Sequence, residues 1–146
     1  MTGSFKIATA QYPIGSPESW TEFEGKITEW VHEAASAHAK LLVFPEYFSM
    51  ELVHLFAEPI QKSLSLQLES LQDLARPFVD LFSRLARVHQ VHIVAGSFPI
   101  RDPDALFRNR CFLFYPDGQH VHQDKVQMTR FENEQWKISP GSHIRT

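Results

Sequence analysis

The run Leu-Leu-Val-Phe at 41–44 constrains this chain more than any other feature, because it is apolar throughout and lies between two helical stripes. An apolar run of strand length without alternation reads as a strand buried on both faces, as in a parallel sheet under helices. Upstream, Trp20, Phe23, Ile27, Trp30, Val31 and Ala34 recur at helical spacing, and the helix is expected to run to about His38. Its start reads as Ser16-Pro17-Glu18, with Ser16 as N-cap, proline in the first helical position and a carboxylate on the positive dipole end. Downstream, Leu71, Leu74, Phe78, Leu81, Phe82, Leu85 and Val88 form a second stripe. Pro77 falls inside it and predicts a kink or a break.

Further strands are expected at 5–11, 91–95, 110–115 and 119–124, the last two joined by the turn Pro116-Asp117-Gly118. Residues 50–57 read as a short helix, 58–63 as a connection, and 133–146 as a tail with no element of its own. The order β-α-β-α-β-β-β gives an α/β class with a mixed sheet, in one domain over 1–146.

Bulk properties narrow the function classes. A net charge of -3 gives no electrostatic case for nucleic acid or an anionic membrane. No apolar run approaches the roughly 20 residues that span a bilayer. The first residues, MTGSFKIATAQ, lack the basic stretch and long apolar core of a signal peptide, so a cytoplasmic address is the expectation. The single cysteine excludes an internal disulfide framework.

Two residues stand where chemistry gathers in open α/β sheets, just beyond the carboxyl ends of strands. Glu46 follows the run at 41–44, and Lys125 follows the strand at 119–124. A carboxylate there can serve as general base, and an ammonium can stabilise a developing oxyanion. A plain ion pair at the sheet edge is the alternative, and spacing alone leaves both open. Metal chemistry finds no motif, since neither CxxC nor HExxH occurs; His120 with His122, and His89 with His92, are pairs where zinc needs three or four ligands. Ser97 follows Gly96 without a GxSxG elbow, and no GxGxxG or P-loop pattern is present. The tryptophans and phenylalanines lie at core spacing.

Five segments in order, KIATAQYPIG at the start, KLLVFPEYFSM around Glu46, IVAGSFP at 93–99, NRCFLFYPDGQ at 109–119 and DKVQMTRFENEQWKISPG at 124–141, resemble the amino-terminal half of a carbon–nitrogen hydrolase of the nitrilase superfamily. The resemblance implies an αββα sandwich, of which this chain would form a half or partial version. It also implies a Glu–Lys–Cys triad acting on a small amide, carbamoyl or nitrile substrate through a covalent enzyme intermediate, with no cofactor and no metal. By that resemblance Glu46 matches the general base and Lys125 the transition-state lysine. Glu132, with Glu134 in reserve, matches a supporting glutamate found soon after the lysine in many members. Members commonly form oligomers, so a homo-oligomer, or a complementing carboxyl-terminal half, is the expected partner.

One departure matters for mechanism. The family's nucleophile follows the lysine by some tens of residues, and the only cysteine here, Cys111, precedes it. Cys111 reads as a small buried core residue. The chain is therefore expected to supply the glutamate and lysine only. A catalytically inactive binding or assembly subunit is the alternative.

Overall fold

The computed structural model describes residues 4–144. The outermost residues of the two terminal stretches read above, 1–3 and 145–146, lie outside it. Short strands alternate with longer helices: β1 (Ile7–Thr9), α1 (Trp20–Ser36), β2 (Leu41–Val43), a 3-10 segment (Phe48–Leu55), α2 (Glu58–Gln61), α3 (Leu64–His89), β3 (His92–Val94), β4 (Phe98–Arg101), β5 (Phe107–Phe114) and β6 (His120–Asp124). A single π-helical turn, Glu132–Trp136, follows.

The strands form one mixed sheet. β1, β2 and β3 are parallel neighbours in that order; β5 runs antiparallel to β3, β4 and β6. Consecutive parallel strands joined by same-handed crossovers put their helices on one side of the sheet. Accordingly α1 and α3 pack against each other. Between helices and sheet lies an apolar core rich in phenylalanine: Phe23, Phe48, Phe78, Phe82, Phe98 and Phe114 are fully buried.

Among the described residues the other face carries no helix, which corrects the reading of 41–44. Leu42 and Phe44 are buried against the helices, while Leu41 and Val43 are only half-buried. The register aligns Thr9, Val43, Val94, Leu113 and Val121 across that open face.

Local details also depart from expectation. The N-cap of α1 is Ser19 rather than Ser16: its hydroxyl accepts from the Glu22 N–H, and the Glu22 carboxylate accepts from the Glu18 N–H. A serine followed three residues later by glutamate offers a reciprocal cap that Ser16 lacks. The helix at 50–57 is instead a 3-10 segment beginning at Phe48, and the connection at 58–63 holds the short α2. The first strand is confined to Ile7–Thr9.

Pro77 does not break α3, which continues through it for 26 residues. The proline removes one backbone hydrogen bond. On either side of it, Leu71 and Phe78 are fully buried, so both halves stay on the same apolar surface. Gln72 adds a polar tether, donating to the Pro99 carbonyl at 2.9 Å and accepting from the Arg101 N–H at 2.9 Å.

The strand unforeseen in the sequence is β4. It continues the line of β3 along the same edge of β5. Val94 pairs with Leu113 and Phe98 with Arg110, four positions against three, so one extra residue bulges out between them. Gly96 sits in this bulge with φ of 56°. The short strand and its Gly-Ser-Phe-Pro lead-in gave no alternation to read.

Candidate active site

The bulge explains how Glu46 is held. A Cβ on Gly96 would lie 2.1 Å from the Pro45 carbonyl oxygen, so only glycine lets the two backbones approach. The next residue, Ser97, accepts the Tyr47 N–H on its hydroxyl at 3.0 Å, and its carbonyl accepts the Ser49 hydroxyl at 2.8 Å. Tyr47 itself adopts φ of 58°, an uncommon conformation for a bulky residue. Clamped in this way, the Pro45-Glu46-Tyr47 turn at the end of β2 presents Glu46 at the mouth of a cleft of about 360 Å³. Phe44, Ser97, Asn109, Cys111, Gln123 and Lys125 are among the residues that wall the cleft.

Lys125 enters from the other side. Its N–H donates to the Asn109 carbonyl at 2.9 Å and its carbonyl accepts from the Gly141 N–H at 2.8 Å, which fixes the backbone just past β6. Its ammonium donates to Glu46 Oε1 and to Glu132 Oε2, each at 2.9 Å.

Glu132 is the most constrained member of the cluster. Its side chain is almost wholly buried, and five donors converge on it. Oε2 accepts from Lys125, from the Thr129 N–H at 2.9 Å and from the Thr129 hydroxyl at 2.8 Å. Oε1 accepts from the Tyr47 hydroxyl at 2.7 Å and from Asn109 Nδ2 at 3.2 Å. Burial works to raise its pKa, but the Thr129, Tyr47 and Lys125 donors outweigh burial and hold it at about 2. Glu132 is therefore a fixed anion at any ordinary pH. Burial likewise opposes the Lys125 charge, and the two carboxylates outweigh it, keeping the ammonium above the usual lysine range. The Tyr47 hydroxyl is pushed far up, first by burial and then by its bond to Glu132.

Of the residues singled out in the sequence, Glu46, Lys125 and Glu132 come together in this cluster. Glu134 does not: it pairs with the exposed Arg130 at 2.8 Å. Cys111 lies differently from expectation, half-buried on the cleft wall instead of in the core. It belongs to the helix-free face, opposite Gln123 of β6. Burial raises its thiol pKa, and the Glu46 charge adds to the rise, so the thiolate is disfavoured. Among the described residues, no group of three or more His, Cys, Asp and Glu side chains is placed to hold a metal ion.

Tyr47, Asn109 and Thr129 went unread in the sequence. Thr129 had a signal, since Thr-x-x-Glu is a capping pattern: the Glu132 N–H donates back to the Thr129 hydroxyl at 3.2 Å, at the start of the helical residues that lead into the π-helical turn. Asn109 and Tyr47 had none, because their partners are 23 to 85 residues away along the chain.

The chain as a whole has relatives. Residues 6–139 match the carbon-nitrogen hydrolase family. A probable hydrolase of Bacillus subtilis (strain 168), YhcX, is 29% identical over 140 residues, covering 96% of this chain and 26% of that protein. Among solved structures, a carbon-nitrogen hydrolase from Helicobacter pylori G27 aligns with a TM-score of 0.72 at 17% identity, over 94% of this chain and 45% of that one. An amidase double mutant from Nesterenkonia sp. AN1, in complex with acrylamide, aligns with a TM-score of 0.65 at 20% identity, over 98% of this chain and 51% of that one. These structures share the fold. The chain spans about a quarter of the curated relative and about half of each structure. With the match extending over nearly its whole length, the chain belongs to the carbon-nitrogen hydrolase family.

Proposed function

We propose that this chain supplies the acid–base half of an amidase-type site, acting on a small amide, carbamoyl or nitrile carbon, with Glu46 as general base and Lys125 as oxyanion stabiliser. The observation that carries the reading is the ammonium of Lys125, held 2.9 Å from both Glu46 and Glu132 beside an open cleft. Glu132, sealed by five donors, anchors the lysine; Glu46, about half exposed, is the carboxylate free to exchange a proton with a substrate-side group. Relatives described as hydrolases and amidases support the reaction class.

The nucleophile is a cysteine other than Cys111, whose thiol is held protonated. A further segment or a second chain supplies it, a reading supported by the match to only half of each related structure. In the amide reaction the thiol passes its proton to Glu46 as sulfur bonds to the carbonyl carbon. The carbonyl electron pair moves onto oxygen, beside Lys125. Collapse breaks the carbon–nitrogen bond, and the amine leaves with the proton held by Glu46. Water then bonds to the acyl carbon, giving a proton to Glu46; the carbon–sulfur bond breaks and the thiol recovers that proton.

The test is amide hydrolysis by the protein as its native host makes it, with its intact mass measured alongside. Glu46→Gln and Lys125→Met should each lower kcat/KM by about 10²-fold or more. Full activity in Glu46→Gln overturns the proposal.

A second reading, a binding or assembly subunit without activity, draws on the helix-free sheet face, where Ile7 is 54% and Val121 48% exposed. It gains if the native protein has the mass of the 146-residue chain and hydrolyses no amide.

A further inference from the structure

Asn109 has no role in the chemistry described so far, yet it bonds Glu46, Glu132 and Lys125 alike. It is 2% exposed and sits at the start of β5. Its side-chain nitrogen donates to Glu46 Oε1 at 2.7 Å and to Glu132 Oε1 at 3.2 Å, one hydrogen for each carboxylate. Its backbone carbonyl accepts the Lys125 N–H. Its side-chain oxygen is buried with no hydrogen-bond partner among the described residues.

That orphaned oxygen is informative. A buried acceptor left unpaired disfavours the folded state, so an asparagine kept for stability alone would be expected to satisfy both ends of its amide. Flipping the amide would not help, since the oxygen would then face two carboxylates. The amide orientation is therefore dictated by Glu46 and Glu132. Lys125 bridges the same two carboxylates with its ammonium. The two like charges are thus joined by two separate donors, one neutral and rigid, the other charged and flexible.

We propose that Asn109 is a positioning residue: its amide ties the half-exposed Glu46 carboxylate to the buried Glu132, so that Glu46 stays aimed at the cleft when Lys125 turns its charge toward substrate. The proposal rests on the assignment of Glu46 as the proton-transferring group. Lys125 spends two of its three N–H donors on Glu46 and Glu132, and an oxyanion that takes the third draws the ammonium's charge away from Glu46. Without a second donor, the hold on Glu46 would weaken at that moment, with about half of its side chain already exposed to solvent.

Two measurements test it. The first needs no turnover: NMR of the Asn109 side-chain N–H2 in the wild-type protein and in Glu46→Gln. One of the two amide protons should move upfield and exchange faster with solvent when its charged acceptor becomes neutral. An unchanged pair of resonances overturns the proposal. The second is a double-mutant cycle on amide hydrolysis. Asn109→Ala should lower kcat about tenfold with KM unchanged, and should cost nothing further in a Glu46→Gln background. An equal loss in both backgrounds, the signature of a merely structural residue, overturns it. If Glu46→Gln keeps full activity while the resonance moves, the functional reading falls and the Asn109–Glu46 tie stands.

Discussion

Gly96 packs against Pro45 so closely that a methyl group on the glycine would meet the proline carbonyl oxygen at 2.1 Å and the Phe48 ring at 2.7 Å. This single approach lets the bulged strand edge grip the turn carrying Glu46. Gly96→Ala adds both a backbone clash and a positive-φ penalty. Destabilisation of more than about 2 kcal/mol is expected. Thermal or urea unfolding checks it, and a loss below about 0.5 kcal/mol would mean that the turn tolerates displacement.

The strong depression of the Glu132 pKa makes a statement about acid stability. Because its folded value is about 2 against an ordinary 4.5, its contribution is fully present above pH 4.5 and is lost as pH falls toward 2. The difference corresponds to about 3 kcal/mol. Urea unfolding of wild type and Glu132→Gln between pH 2 and 7 should show two curves far apart at neutral pH and converging in acid. Parallel curves would refute the assignment.

Cys111 offers a probe of the Glu46 charge. Its thiol is held protonated first by burial and then by that charge, so alkylation at pH 8 should be slower than for a free thiol. Glu46→Gln removes the second cause while leaving the first, and should speed alkylation of Cys111. A rate indifferent to residue 46 would place the carboxylate's influence elsewhere.

What the sequence made legible follows from the range of each interaction. Helical stripes at 20–34 and 71–88 rest on local periodicity and the strands at 41–44, 91–95 and 119–124 on short local runs, and the helices and the cores of those strands appear where expected. Burial of 41–44 on one face only could not be read, because a strand's own residues do not reveal how many layers cover it. The bulge that aligns β3 with β4 is a matter of register between chain segments, and Gly96 announces it only once Pro45 is known to lie beside it. Glu46 and Lys125 were legible through resemblance, their 2.9 Å contact only through the fold. Asn109 was silent, since its meaning lies in two carboxylates 63 positions upstream and 23 downstream.

Pro77 tests whether the continuity of α3 is held by its apolar face. The proline removes one main-chain bond and crowds the preceding turn, a cost of about 3 kcal/mol in an ordinary helix interior. Here Leu71 and Phe78 are buried on either side of it, and Gln72 is tied to β4. The tertiary contacts therefore hold the helix together despite the proline. Pro77→Ala restores the bond but frees the unfolded chain, which offsets about 1 kcal/mol of the gain. A net stabilisation of roughly 1–2 kcal/mol is expected from thermal unfolding, with activity unchanged because the site lies at the strand ends. If Pro77→Ala instead destabilises the protein, the proline has set a helix curvature that the phenylalanine core requires.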